Sequence, residues 1–337
     1  MSNILRVAKA AGVSAMTVSR YFNDPDKLRP ETRARVEAAV QALAYVPNAA
    51  ARSLIQGRTE TIALVVADIT NPFFTTLARG VEDTAQEHGY TLILGNADET
   101  LSKERAYLSI MVSRRVDGVI LSPAPGTAHN LDLLTAHGIP VVLVDRRIDG
   151  ANVDIVHGDS RAGGERLTSH LIALGHRHIA FIGGPEGVSS LEQRLNGYEI
   201  ALTRHGLEPD VHLGRYDRRS GEEIIDAMLE GGARPGFTAV VAANNVVAAG
   251  VIAALARHGI RVPDDVSLVG FEDFESDAVV DPFLTVAVQP AYEIGQRAMT
   301  LLLERIGGLA DPPREQVLPV SMLVRRSSAT PRTVSAP

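Results

Sequence analysis

Between residues 60 and 290 the apolar positions fall into short β-rich runs: TIALVVA, YTLILG, GVIL, PVVLV, IAFIG, FTAVVAA, VSLVGF and LTVAV. Most of them alternate with amphipathic stretches at 72–88, 101–115, 160–174, 191–205 and 246–258. Apolar strands separated by helical stretches are what parallel sheets covered by helices require. Eight or more strands, with a fresh start near residue 160, predict two similar α/β lobes, each a doubly wound parallel sheet. The first 46 residues follow a different period. Residues 4–10 form one short helix, with Asn3 as N-cap and Ile4, Val7 and Ala8 on one face. Ala11-Gly12-Val13-Ser14 breaks it: Gly12 supplies an unusual backbone angle, and Ser14 caps a second helix over 15–22. A third helix follows NDPDKL, with Pro30 in its first turn and Val36, Ala39, Val40 and Leu43 as its stripe. Two short helices around a tight glycine turn, closed by a longer third, describe an all-α helix-turn-helix head.

Charge assigns different tasks to the two parts. The chain carries -7 overall, yet residues 1–58 hold nine Lys/Arg against four acids, leaving the rest strongly acidic. A basic head on an acidic body is expected when only the head meets a polyanion. Cysteine is absent, which removes disulfides, thiolate metal sites and cysteine nucleophiles together. No apolar run approaches the roughly 18 residues of a spanning helix. The start, MSNILRVAKAAGVS, lacks a signal peptide's apolar stretch. A cytoplasmic protein with no membrane contact is the expectation.

The segments AGVSAMTVSRYFN and RPETRARVEAAVQALAYVPNAAARSL closely resemble the lactose/galactose repressor (LacI/GalR) family, and the likeness runs through nearly the whole chain. The resemblance implies a core folded like the periplasmic sugar-binding proteins, crossed three times between its lobes. It gives a head at 1–46, a hinge or linker at 47–58, an effector and dimerisation core at 59–330 and a tail at 329–337. Within the core, one lobe would take about 59–158 and 290–318, and the other about 159–289 and 319–328. The sequence departs from the family's usual pattern at Arg6, where members have Asp, at Asn245 in place of Asp, and at Glu272 in place of Asp.

In a helix-turn-helix the second helix enters the major groove and its first residues face base edges. Ala15, Met16 and Arg20 are the candidates for base readout, Arg20 through a bidentate bond to guanine. Ser14, Thr17 and Ser19 read better as phosphate contacts, while Val13 and Val18 read as core. Asn23, Asn48 and Arg52 join the expected DNA contacts. By resemblance, paired hinge helices sit in the minor groove, with Leu54 wedged into the central base step. Composition alone favours a plain tether for that stretch.

Ligands of open α/β sheets bind beyond the carboxyl ends of the strands. The residues just after the runs are Asp68, Asn96, Ser122, Asp145, Gly183, Asn244 and Glu272, nearly all polar, as a polyol-binding cleft requires. Taken singly, each reads more readily as a turn residue. The resemblance promotes Asp68, Asn71 and Phe73 of DITNPFF, then Asp145, Arg194, Asn244, Glu272 and Gln289; Ser122 and Phe271 complete the expected effector contacts. Phe73 or Phe271 would cover an apolar sugar face. Arg146 and Arg147 leave an acidic or phosphorylated sugar open, with solvated surface as their default reading.

Together these features predict a sequence-specific repressor, dimeric on a pseudo-palindromic double-stranded operator and controlled by a small molecule, most readily a sugar or sugar derivative. No leucine heptads follow the core to build a tetramer. The alternative is a transport-type solute-binding protein with an N-terminal extension. An enzyme is disfavoured: GGPEG lacks dinucleotide spacing, and GxxxxGK[ST], HExxH and GxSxG are absent. No cofactor and no metal are expected; His176 and His178 of GHRHIA read as a helix end and a strand start.

Overall fold

The computed structural model describes residues 4–46, 57–230, 235–274 and 283–332. Asn3 and the expected DNA contacts Asn48, Arg52 and Leu54 lie outside these residues. The chain divides into two compact units, Met1–Thr59 and Glu60–Pro337.

In the first unit, α1 (Ile4–Ala11), α2 (Ala15–Asn23) and α3 (Pro30–Ala42) surround a small core of Val7, Ala8, Ala11, Val18, Val36 and Ala39. Val18 is fully buried, whereas Val13 packs at the edge of this core. Gly12 sits at φ +65, where a side chain would be strained. Arg35 of α3 fastens the turn, donating to Ala11 O (3.0 Å) and Gly12 O (2.8 Å). The angle between α1 and α2 is thus set by a third helix as well as by the turn itself.

The second unit begins with β1 (Thr61–Val66), α4 (Pro72–Glu87), β2 (Thr91–Asn96), α5 (Leu101–Arg114), β3 (Gly118–Leu121), α6 (Ala128–Ala136), β4 (Val141–Val144) and β5 (Asp154–Gly158). The chain then crosses into α7 (Ser160–Ala173), β6 (Ile179–Gly183), α8 (Ser189–Arg204), β7 (Asp210–Leu213), α9 (Arg218–Met228), β8 (Ala239–Ala242), α10 (Asn245–Arg257), β9 (Ser267–Phe271) and β10 (Thr285–Val288). It returns for α11 (Ala291–Ile306) and β11 (Glu315–Leu318), and crosses once more into β12 (Ser321–Leu323). The first sheet has the order β11-β5-β4-β3-β1-β2 and is parallel throughout. The second has the order β12-β10-β9-β8-β6-β7, parallel except where β12 runs against β10. Three crossings therefore join two lobes.

All eight apolar runs are strands, and β5, β7, β11 and β12 add to them. These four carry polar residues where a buried strand would be apolar. In β5 the polar groups are fasteners. Buried Asp154 accepts from Arg305 Nε (2.7 Å) and Nη2 (2.8 Å), and His157 bonds Glu315 of β11 (2.8 Å). Ala329 to Arg332, read from sequence as tail, is also tied down. Ala329 O meets buried His176 at 2.9 Å, and Arg332 pairs with Asp265. His176 also contacts Thr238 and Ser267, a structural role that burial favours in the neutral form.

Helices within each lobe touch backbone to backbone. A Cβ on Gly164 of α7 would lie 2.2 Å from Arg194 O, and one on Gly197 of α8 would lie 2.1 Å from Arg161 O. In the other lobe Gly80 of α4 and Gly295 of α11 form the same kind of pair, with distances of 2.1 and 2.2 Å to facing carbonyls. Only glycine permits such an approach.

Candidate effector cleft and DNA-reading helix

Asp68 follows β1, Asp145 follows β4, Asn244 follows β8 and Glu272 follows β9, so the carboxyl ends of both sheets converge on one space. A narrow cleft lies there, walled by both lobes. Of the expected effector contacts, Asp68, Asn71, Phe73, Asp145, Arg194, Asn244, Glu272 and Gln289 line it. Two do not. Ser122 is fully buried with its hydroxyl unpaired, and it is not part of the wall. Phe271 is fully buried too, and it backs Arg194, whose guanidinium lies 4.5 Å from its ring centroid. Phe271, the last residue of β9, packs in the core of its lobe, and Glu272, just past the strand end, lines the cavity.

Arg194 is placed by α8 and held from several sides. It donates to Ala243 O (2.7 Å) and Ser160 Oγ (3.4 Å), and its Nη2 stands 4.0 Å from Asp145. Gln289 donates to Glu272 Oε1 at 2.9 Å while accepting from Gly158 N at 3.1 Å. Burial pushes the Glu272 carboxyl up to about 7, against the pull of the Arg194 charge. Asn71 caps α4 through Phe73 N (3.1 Å), and Asn244 caps α10 through Val247 N (2.8 Å). Asp68 is partly engaged in its own turn, accepting from Thr70 N and Oγ1. Asn245, the departure from the usual Asp, donates to Asn71 Oδ1 (3.3 Å) and to Asp273 O (3.0 Å). An ionised aspartate has no proton to give, so this contact between lobes depends on the amide.

Five further residues of the wall, Phe74, Glu99, Ser190, Tyr216 and Val246, escape the sequence reading, and a sixth, Arg146, has solvated surface as its default there. Solvated surface is correct for Arg147, which is exposed, and fails for Arg146, which is 5% exposed. Glu99 grips the Arg146 guanidinium bidentately at 2.6 and 2.5 Å, and Pro123 O accepts a further bond at 3.2 Å. Burial works against the Arg146 charge, but the Glu99 bond together with the charges of Glu99 and Asp145 outweighs it and holds the proton more firmly than usual. The Tyr216 ring lies 5.6 Å from the Arg146 guanidinium carbon, and its buried hydroxyl, pushed up to about 12 by burial, has no partner. Glu99, Asp145 and Glu272 all have left-handed backbones, at φ +54, +65 and +63. Each such non-glycine residue costs on the order of 1–2 kcal/mol. Strain gathered at three carboxylates of one cavity is characteristic of a functional site.

In the head, Met16, Arg20 and Asn23 are exposed along one face of α2, Met16 at 71%. Ala15, Thr17 and Ser19 are half-buried. The Ser14 hydroxyl accepts from Thr17 N at 3.1 Å and meets the Thr17 hydroxyl at 2.9 Å, while Asn23 Nδ2 reaches Ser19 Oγ at 3.4 Å. Ser14 therefore builds the helix start and remains exposed.

A helix-turn-helix unit together with a two-lobed α/β unit around a polar cleft defines the class of ligand-responsive DNA-binding regulators. More narrowly, the chain belongs to the LacI family. Residues 3–48 match the model for bacterial regulatory proteins of the lacI family, and residues 59–326 match that for periplasmic binding proteins and the sugar binding domain of the LacI family. The ribose operon repressor of Halalkalibacterium halodurans is 34% identical, covering 97% of both chains. Among solved structures, the lac repressor dimer bound to operator and the anti-inducer ONPF has a TM-score of 0.84 at 28% identity, covering 97% of this chain and 99% of that one. A complex of the transcriptional regulator CelR with cellobiose has a TM-score of 0.71 at 31% identity, covering 97% and 100%. Among the described residues no helix is long and apolar enough to cross a membrane, and no group of three His, Asp or Glu is arranged to hold a metal ion.

Proposed function

We propose that the protein is a homodimeric transcriptional repressor acting in the cytoplasm, whose affinity for a pseudo-palindromic double-stranded operator is set by a sugar or sugar derivative bound in the cleft. In this reading Ala15, Met16 and Arg20 face base edges, and Ser14, Thr17, Ser19 and Asn23 hold the backbone. DNA contacts extend to Asn48, Arg52 and Leu54 in the 47–58 link. Asp68, Asn71, Phe73, Asp145, Arg194, Asn244, Glu272 and Gln289 receive the effector, with Phe73 as the apolar wall. Arg194 and the carboxylates offer charge-assisted bonds to adjacent hydroxyls. The protein is a switch and not an enzyme.

The observation that carries this reading is a cavity walled by both lobes and bridged by Asn245 and Asn71. A ligand that contacts both walls binds one lobe arrangement better than another, and that difference is all a ligand needs to shift an equilibrium. The relatives named above include a ribose operon repressor and a regulator in complex with cellobiose, which supports the sugar class. The test is operator binding by the intact protein, measured by fluorescence anisotropy with a panel of sugars. A sugar that changes operator affinity at least several-fold, and loses that effect in Arg194→Ala, is the expected result. Operator affinity equal to that for random duplex under all conditions would overturn the reading.

A further inference from the structure

We propose that the Glu99–Arg146 pair makes the cleft selective for an uncharged polyol and closes it to phosphorylated or carboxylated sugars. The inference rests on the reading of the cavity as the effector site and concerns what that site excludes. Two arginines in a cleft would ordinarily favour an anion, as bidentate partners of phosphate and carboxylate. Here one of them is already occupied. Both terminal nitrogens of Arg146 are bonded to the two carboxylate oxygens of Glu99, and Nη1 also serves Pro123 O. Its Nε makes no hydrogen bond among the described residues, but it stands 3.4 Å from the Asp145 carboxylate, whose charge lies between it and an incoming anion. The second arginine is spent in part on Ala243 O and Ser160, and it too stands beside Asp145.

The cavity as a whole holds four carboxylates, Asp68, Glu99, Asp145 and Glu272, against the two guanidinium groups of Arg146 and Arg194. A proton on Glu272 reduces this excess without reversing it. An anion entering the cleft would meet net negative charge in a space with little water to screen it. A neutral polyol meets complementary groups. The Tyr216 hydroxyl is buried and unpaired, and the remaining donors of Arg194 and acceptors of Asp145 and Glu272 lie in the same wall. Glu99 itself is held in place at a cost: it and Asp98 are consecutive non-glycine residues in the left-handed region, φ +54 and +47. The loop after β2 thus bends sharply to bring this carboxylate to Arg146.

The test uses full-length wild type and Glu99→Gln, with thermal denaturation and calorimetry against matched probes. These are ribose and ribose 5-phosphate, glucose with glucose 6-phosphate and glucuronate, and galactose with galacturonate. The expected result is that wild type binds at least one neutral sugar and binds its charged counterparts at least about tenfold more weakly. In Glu99→Gln the freed guanidinium then raises affinity for the charged counterpart about tenfold or more. A wild type that prefers a phosphate or uronate over its parent overturns the proposal and leaves the cleft's assignment intact. Silence of both proteins towards every probe overturns the sugar reading itself. If Glu99→Gln does not fold, the wild-type ratio of neutral to charged ligand decides alone.

Discussion

Glu272→Gln isolates the energetic consequence of placing a longer acid at a buried cleft position. The glutamate is 6% exposed, and its carboxyl, ordinarily at 4.5, is raised to about 7, chiefly because burial disfavours its charge. A tenfold change in proton affinity is worth about 1.36 kcal/mol, so the ionised form costs the folded core about 3 kcal/mol above pH 7. The sign follows from proton binding. Between 4.5 and about 7 the folded protein holds a proton that the unfolded chain has lost, so stability falls as pH rises through that window. The penalty is nearly absent at pH 4.5 and complete by about pH 8. Glutamine keeps an oxygen for Gln289 and carries no charge. The variant should therefore exceed wild type by no more than about 1 kcal/mol near pH 5 and by about 2–3 kcal/mol at pH 8, on the order of 5 °C in Tm. Calorimetric scans of both proteins at half-unit steps between pH 5 and 8 measure this difference. Equal gains at pH 5 and pH 8 would show that the carboxyl is ionised throughout and refute the reasoning.

Arg194→Ala should abolish the stabilisation by ligand, which for wild type at a hundredfold excess over Kd amounts to about 2.7 kcal/mol, while operator binding without ligand survives. Thermal denaturation with and without ligand measures the first, and anisotropy the second. Arg20→Ala should relax base preference at one operator position by about 1–3 kcal/mol, read from affinities for a set of single-base operator variants; uniform loss on all DNA would make it a phosphate contact instead. Gly164→Ala forces a methyl to within 2.2 Å of Arg194 O, and it should cost about 1–3 kcal/mol in urea unfolding and weaken ligand binding as Arg194 is displaced.

The strands that are legible in the sequence are those whose residues are apolar on both faces. β5, β7, β11 and β12 are not, because residues such as Asp154, His157 and Glu315 stand where an apolar period would be needed, and their role is visible only once their partners are known. With β7 hidden, Tyr216 is hidden too, since it follows that strand and reaches the cavity from its end. Strand ends and family likeness locate most of the wall, from Asp68 to Gln289. They do not separate Arg146 from Arg147. Burial of one and exposure of the other depend on Glu99, 47 positions earlier in the chain. Phe271 is expected as a ring to cover a sugar face, yet as the last residue of β9 it is fully buried in the core, where no feature of its own sequence position distinguishes it from a cleft residue.

The glycine contacts between α7 and α8, and between α4 and α11, constrain how the core can respond to a ligand. Helices in direct backbone contact have no layer of soft side chains through which to slip, so each lobe behaves as a solid block. Among the described residues the lobes are joined by three short connections, Gly158–Ser160, Val288–Ala291 and Leu318–Ser321. A ligand held between two such blocks acts on the angle at which these connections hold them.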